Sequence, residues 1–385
     1  MKKLFVKFFL AIMLCCLVVG FSVPESNGYA TGNSVQIKAK SALLIDYHSG
    51  KVLFEKNATD RLPIASMTKL ASLAVIFDAL DKGVIKKNDD VIVSETAAAV
   101  GGSSAFLDAG SSYKVSELIK SIVVASANDS TVALAEFVAG TEELFVSRMN
   151  KFARDLNLND TNFENSTGLP TENHYSSAFD IAHIYKTMCN NELYKKYAKI
   201  WMDDFIHPTG RKTGLVNTNR LVKTYDGLEG GKTGYTDSAR FCLTASASRG
   251  GLRLIGVIIG ADDSKTRFAE MTKLFNFGFA NYENKCVVNS EVPTTITKFK
   301  FSKDKVSVYP EKDSFILLEK GSAETYTTDY ELDELKAPLK SGSVVGKMFV
   351  FDKDNMVVDE IKLVIKTDVK QVGVKETIRK LVKIW

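Results

Sequence analysis

Ser66-Met67-Thr68-Lys69 sets a hydroxyl and an amine three positions apart, which on a helix places both on one face. A serine so placed can act as a nucleophile if the amine takes its proton. If the helix begins near Ser66, its N-terminal dipole also favours the developing alkoxide. Lysine is a base only when neutral, so its usual value of about 10.4 must be lowered by burial or by a neighbouring cation. That cation has to come from elsewhere in the chain. The spacing alone is weak, since Ser111 to Lys114 and Ser302 to Lys305 repeat it. Ser66 is set apart by Leu62-Pro63-Ile64-Ala65 ahead of it and an apolar helical pattern behind.

Two further groupings carry chemistry. Ser126-Ala127-Asn128 closes one apolar helical run, and another begins at Asp129. A loop between helices can present a hydroxyl for proton relay and an amide that bonds a peptide carbonyl. Read alone, the triplet is first of all a helix stop and N-cap, where Ser and Asn are favoured anyway. Lys232-Thr233-Gly234 follows Gly230-Gly231 and comes just before a strand expected at Phe241. A cation and a hydroxyl on a sheet edge suit a carboxylate, and glycine lets backbones approach closely. Lys212-Thr213-Gly214 repeats the triplet, but it lacks the glycine pair and does not lead directly into a strand, so Lys232 is preferred.

Other chemistries fail on spacing. Gly227 to Thr233 is one residue short of a phosphate-binding loop and leads to a strand rather than a helix. His48, His174, His183 and His207 show no metal-ligand pairing, so no metal and no cofactor is expected, and a Ser-His-Asp triad is unsupported. The formal charge of +4, with acids interspersed among the bases, argues against a nucleic-acid partner.

Positioning these residues requires a sheet and a set of helices. Ala42 to Asp46 and Lys51 to Glu55 read as a hairpin, as do Phe241 to Ser248 and Leu252 to Ile259. Between them, Leu70, Leu73, Ala74, Phe77 and Leu80 recur at helical spacing, as do Leu118, Ile119 and Val123. Met271, Leu274, Phe275 and Phe279 fit one more helix. The fold class is therefore α+β, an antiparallel sheet covered by helices. From about Val287 to Lys366 the chain turns to short Thr-, Val- and Lys-rich runs, among them Phe315 to Leu318, Lys347 to Phe351 and Ile361 to Ile365, which predict a smaller all-β C-terminal domain.

Both chain ends point outside the cell. Lys2, Lys3 and Lys7 precede an apolar run from Phe8 to Phe21, with small residues around Gly28-Tyr29-Ala30, so residues 1–30 read as a secretory signal. The run is shorter than the roughly 20 residues of a spanning helix. Cys15 and Cys16 lie within it, and Cys189, Cys242 and Cys286 are too scattered for a disulfide framework. At the other end, Val374, Ile378, Leu381, Val382 and Trp385 form an apolar stripe flanked by Lys375, Arg379, Lys380 and Lys383. Residues 371–385 therefore read as an amphipathic helix for a membrane surface, with packing of the stripe against the β-rich domain as the alternative. The domains expected are 31–284, catalytic, and 285–370, β-rich.

Ser-x-x-Lys, Ser-x-Asn and Lys-Thr-Gly, in this order, resemble the penicillin-interacting serine enzymes. Ser49 to Ala58, Pro63 to Ser66, Asn165 to Pro170, His174 to Ser177 and Asn217 to Asn219 are similar to the low-molecular-weight D-alanyl-D-alanine carboxypeptidases, and Ala337 to Gly342 to their C-terminal domain. The chain departs from them at Ala127-Asn128-Asp129-Ser130, and at Gly231, which is expected to loosen the start of the strand. The resemblance implies a β-lactamase/transpeptidase-like catalytic fold and removal of the terminal D-alanine from peptidoglycan stems. In it Ser66 attacks the peptide carbonyl, Lys69 takes the proton and Ser126 relays it. The N–H groups of Ser66 and Tyr235 form the oxyanion hole. Lys232, Thr233 and Gly234 receive the carboxylate, Asn128 bonds the stem, and Arg220 assists. Lys232 is then the cation that lowers Lys69. The implied partners are stems ending in D-Ala-D-Ala, β-lactam antibiotics and the outer face of the cytoplasmic membrane. Two alternatives are a class A-like β-lactamase and a catalytically weak wall-binding or sporulation factor. Against the first stand the β-rich region and Glu164, which leads into Asn165-Ser166 where such enzymes place Leu-Asn.

Overall fold

A computed structural model describes residues 35–373. The expected secretory segment and the apolar stripe from Val374 to Trp385 lie outside the described residues.

The alternation of the first hairpin gives β1 (Ser41–Asp46) and β2 (Val52–Lys56). A 3-10 turn over Ala65–Thr68 then feeds α1 (Lys69–Asp81), which is apolar on nearly every side. A helix of that kind has to be buried, and α1 runs through the core of the catalytic region. Around it lie the short ribbon of β3 (Asp90–Ile92) and β4 (Ser112–Lys114), with α2 (Glu95–Ala99) between its strands. Next come α3 (Val115–Ala125), α4 (Asn128–Ala139) and α5 (Glu142–Asp155). Then follow α6 (Ala178–Met188) and α7 (Glu192–Ala198). Side-chain caps start several of these helices: Thr141 accepts from Leu144 N, and Ser177 from Asp180 N.

A second ribbon, β5 (Met202–Ile206) with β6 (Lys212–Val216), and the single turn α8 (Leu221–Thr224) lead back to the sheet. It is completed by β7 (Leu228–Thr236), β8 (Arg240–Arg249) and β9 (Leu252–Ala261), in the antiparallel order β2-β1-β9-β8-β7. The central strand β9 is buried at every residue, because α6 and the long α9 (Ser264–Asn281) both pack against it. The expected α+β layout is therefore present, and β7 forms one of its edges.

Beyond α9, β10 (Tyr282–Val288) pairs with β13 (Ser314–Glu319). A five-stranded antiparallel sheet joins β11 (Thr295–Thr297), β12 (Val306–Pro310), β16 (Val357–Ile365), β15 (Val344–Phe351) and β14 (Thr327–Leu332), in that order. This all-β domain has its own apolar core, including Val308, Val345, Val350, Ile361 and Leu363.

Both Lys-Thr-Gly triplets lie in strands. Lys232-Thr233-Gly234 is within the edge strand β7, with Lys232 opposite Thr244. The second triplet, Lys212-Thr213-Gly214, is itself in a strand, β6.

Candidate active site

The 3-10 turn explains how Ser66 and Lys69 meet. In 3-10 geometry, side chains three residues apart eclipse one another. Lys69 Nζ lies 2.9 Å from Ser66 Oγ and donates to Thr167 O at 2.7 Å. Ser66 is therefore not the first residue of an α-helix, and Lys69 opens α1 instead. Ala65 ahead of it sits in the left-handed region, φ 47°. The loop from Asn165 to Pro170 braces this turn. Asn165 Oδ1 accepts from Gly168 N at 2.7 Å, and a methyl at Gly168 (φ +83°) would collide with the Ala65 carbonyl.

Ser126 ends α3 in the left-handed region, φ 64°, so its hydroxyl turns out of the helix toward β7. There Lys232 Nζ donates to Ser126 Oγ at 2.7 Å and to Thr233 O at 2.9 Å. Thr233 Oγ1 donates to Thr218 Oγ1 at 2.7 Å. Asn128, the first residue of α4, donates through Nδ2 to Gly101 O at 2.5 Å, while its buried Oδ1 has no partner among the described residues. Gly234 lets the edge strand approach Ser66: a methyl there would lie 2.6 Å from Ile64 O and 3.2 Å from Ser66 N. Tyr235 is half exposed, its hydroxyl donating to Asp237 Oδ1 at 2.9 Å. Gly231 is not loose: it is buried and paired with Ala245 in the sheet.

Electrostatics follow from this packing. Lys69 is fully buried and is held well below the ordinary lysine value, first by burial and then by the charge of Lys232. The cation expected to act on Lys69 is thus in place, although burial is the larger cause. Asp129 opposes both. Lys232 is itself pushed down to about 7, by burial and then by Arg267. His174 falls to about 4 through burial. As a neutral ring it accepts from Glu164 N at Nδ1, 3.1 Å, and so donates from Nε2 to Thr68 Oγ1, 2.7 Å, beneath the nucleophile turn.

The chain matches the D-alanyl-D-alanine carboxypeptidase family over residues 28–263, and the C-terminal domain of penicillin-binding protein 5 over residues 282–371. It belongs to the D-alanyl-D-alanine carboxypeptidases. The carboxypeptidase DacF of Bacillus subtilis (strain 168) is 39% identical to it, over 100% of this chain and 99% of that protein. DacA of Escherichia coli (strain K12) is 36% identical over 87% and 85% respectively. The crystal structure of penicillin-binding protein 5 from Haemophilus influenzae superimposes with a TM-score of 0.69 at 32% identity, covering 88% of this chain and all of that one. This is a serine-type carboxypeptidase.

Three residues of the carboxypeptidase's site escaped the sequence reading. Asp129 is buried and accepts from Ala105 N, Leu107 N and Ser104 Oγ, which fastens the loop at 101–108 beside Asn128. Its place directly after Asn128 was the available signal. Thr218 braces Thr233 from within the Asn217-Thr218-Asn219 turn. Arg267, in the first turn of α9, reaches under β7 and donates to Gly234 O at 3.3 Å and Cys242 O at 3.2 Å. No neighbouring residue marks it in the sequence. Arg220, expected to assist the carboxylate, is exposed at the start of α8, and its charge adds to the burial that pushes Arg267 down.

Proposed function

We propose that the chain removes the terminal D-alanine of peptidoglycan stems through an acyl-enzyme on Ser66. The carrying observation is the contact of a buried, depressed Lys69 with the Ser66 hydroxyl at 2.9 Å. A neutral amine there accepts the hydroxyl proton as Ser66 Oγ attacks the carbonyl between the two D-alanines. The N–H groups of Ser66 and Tyr235 receive the oxyanion, where each donor is worth a few kcal/mol. Ser126, tied to Lys232, passes the proton to the leaving amine, and water then hydrolyses the ester.

The substrate carboxylate is received by Lys232, Thr233 and Arg267, whose buried Nε has no partner among the described residues. Asn128 Oδ1, equally unpartnered, takes an N–H of the stem. This reading makes Arg267 the principal guanidinium and Arg220 the outer one. A β-lactam, as a strained mimic of D-Ala-D-Ala, acylates the same serine. Fluorescent penicillin is expected to label Ser66, with labelling lost in Ser66→Ala; stoichiometric labelling of that variant would assign the nucleophile elsewhere. Against the β-lactamase reading stand the all-β second domain and Glu164, whose carboxylate accepts from Asn162 Nδ2 at 2.8 Å.

In this reading residues 1–30 direct export, 31–284 form the catalytic domain and 285–370 the β-rich domain. Residues 371–385 associate with the outer face of the cytoplasmic membrane. Among the described residues no helix is long and apolar enough to cross a membrane.

A further inference from the structure

Next to the residues that receive the substrate carboxylate lies a cleft of about 750 Å³, walled by Trp201, Thr218, Arg220, Lys223, Arg267 and Phe268 among others. Two of its walls are bonded directly to β7: Thr218 to the hydroxyl of Thr233, and Arg267 to the carbonyl of Gly234. The cleft therefore adjoins the strand that carries Lys232 and Thr233. Its volume falls within the range of about 300–1,000 Å³ usual for whole ligands. The methyl group of a departing D-alanine leaves most of it unused.

The charge of the cleft is also out of proportion to D-alanine. That residue brings a single carboxylate, and Lys232, Thr233 and Arg267 suffice for it. Arg220 and Lys223 add two further cations, and among the described residues no acidic residue lines the cleft and neither cation has a salt-bridge partner. Burial is the main cause that holds Arg267 below the ordinary arginine value, and the charge of Arg220 adds to it, so an anion between the two cations relieves their repulsion. Lys223 Nζ stands 5.0 Å from the centre of the Trp201 ring, and Arg267 lies 4.5 Å from that of Phe268. The cleft thus combines aromatic walls for methylene groups with cations for a second negative charge.

We infer that this cleft is a leaving-group subsite for amines that carry a second carboxylate. The inference rests on the carboxypeptidase reading of Ser66 and the carboxylate residues. The shared chemistry has two sources: an acidic D-amino acid at the end of a stem, or a neighbouring stem attached through the side-chain amine of a diamino acid. The reaction is unchanged in kind. Ser66 Oγ bonds to the D-alanyl carbonyl carbon, the bond from that carbon to the leaving nitrogen breaks, and the proton taken from Ser66 goes to the nitrogen. Water then cleaves the ester and restores the serine.

The test measures kcat/KM at low salt for acyl-peptides ending in D-Ala-D-Ala, D-Ala-D-Glu and D-Ala-D-Gln. The last two differ by one charge at nearly equal shape. D-Glu is expected to exceed D-Gln by about fivefold, as befits a solvent-exposed pair. The margin should shrink with added salt, and Lys223→Glu should abolish or invert it. Equal or lower turnover of the D-Glu peptide by the wild type overturns the subsite. Loss of D-alanine release from the D-Ala-D-Ala peptide would instead overturn the catalytic reading, so the two failures are distinct. A cross-linked stem dimer separates the sources: its cleavage to monomers assigns the subsite to cross-links, and its survival alongside a D-Glu preference assigns it to acidic stem ends.

Discussion

Lys232 donates to the hydroxyl of Ser126 over 2.7 Å, although 106 positions separate them in the chain. The bond joins the edge strand β7 to the loop between α3 and α4, and so makes one unit of two motifs. It also separates the two Lys-Thr-Gly triplets, because Lys212 is exposed on β6 and paired with Asp204. We predict that Lys232→Ala lowers kcat/KM for D-alanine release on the order of a hundredfold. Lys212→Ala should stay within about twofold, as for other exposed pairs. Equal losses in steady-state assays would transfer the role to Lys212.

The two buried lysines set a pH dependence with opposite signs. In the proposed mechanism Lys69 has to be neutral to accept the proton from Ser66, so acidification through its depressed value is expected to remove activity. Lys232 has to be charged to receive a carboxylate, and in the free enzyme it loses that charge as pH rises through about 7. The profile of kcat/KM, which reports the free enzyme, is expected to be bell-shaped, with the alkaline limb beginning near pH 7. Lys232→Arg should move that limb upward, since a guanidinium stays charged, whatever happens to the maximum. An alkaline limb that stays in place would remove Lys232 from the assignment.

Much of this site could be read from residue order because its parts are local. Ser66 with Lys69, the Ser126-to-Asn128 loop and the hairpin of β8 and β9 each rest on spacing or periodicity within one or two elements. What could not be read depends on tertiary approach. Gly230-Gly231 looks like turn punctuation, yet both residues are paired within β7. Ala65 adopts a left-handed backbone that its residue type does not forecast. Arg267 is one arginine in a long helix until the sheet places β7 above it. The ribbons β3–β4 and β5–β6 are short and largely exposed, so they carry no strong apolar alternation.

Gly168 tests the bracing of the nucleophile turn. Its positive φ is costly for any residue with a side chain, and an added methyl meets the Ala65 carbonyl. Gly168→Ala is therefore expected to displace the loop that holds Thr167 O against Lys69. The melting temperature should fall by several degrees, and penicillin acylation should slow by about tenfold or more, a loss of roughly 1.4 kcal/mol or more. Gly214→Ala, at an open position on β6, serves as the control and should change neither. Unaltered acylation in Gly168→Ala would mean that the loop does not position Lys69.

The proposed membrane association rests on the last residues of the chain. Lys375, Arg379, Lys380 and Lys383 flank the apolar stripe that ends in Trp385. A cation near an anionic bilayer contributes about 1 kcal/mol, so four of them with a short apolar face give peripheral, reversible binding rather than insertion. We predict that mature protein floats with anionic vesicles at low salt and is released as salt rises. A version ending at Lys370 should stay at the bottom of the gradient. If the two forms remain equally soluble beside anionic vesicles, the stripe belongs against the β-rich domain, and the catalytic domain reaches the wall without a membrane tether.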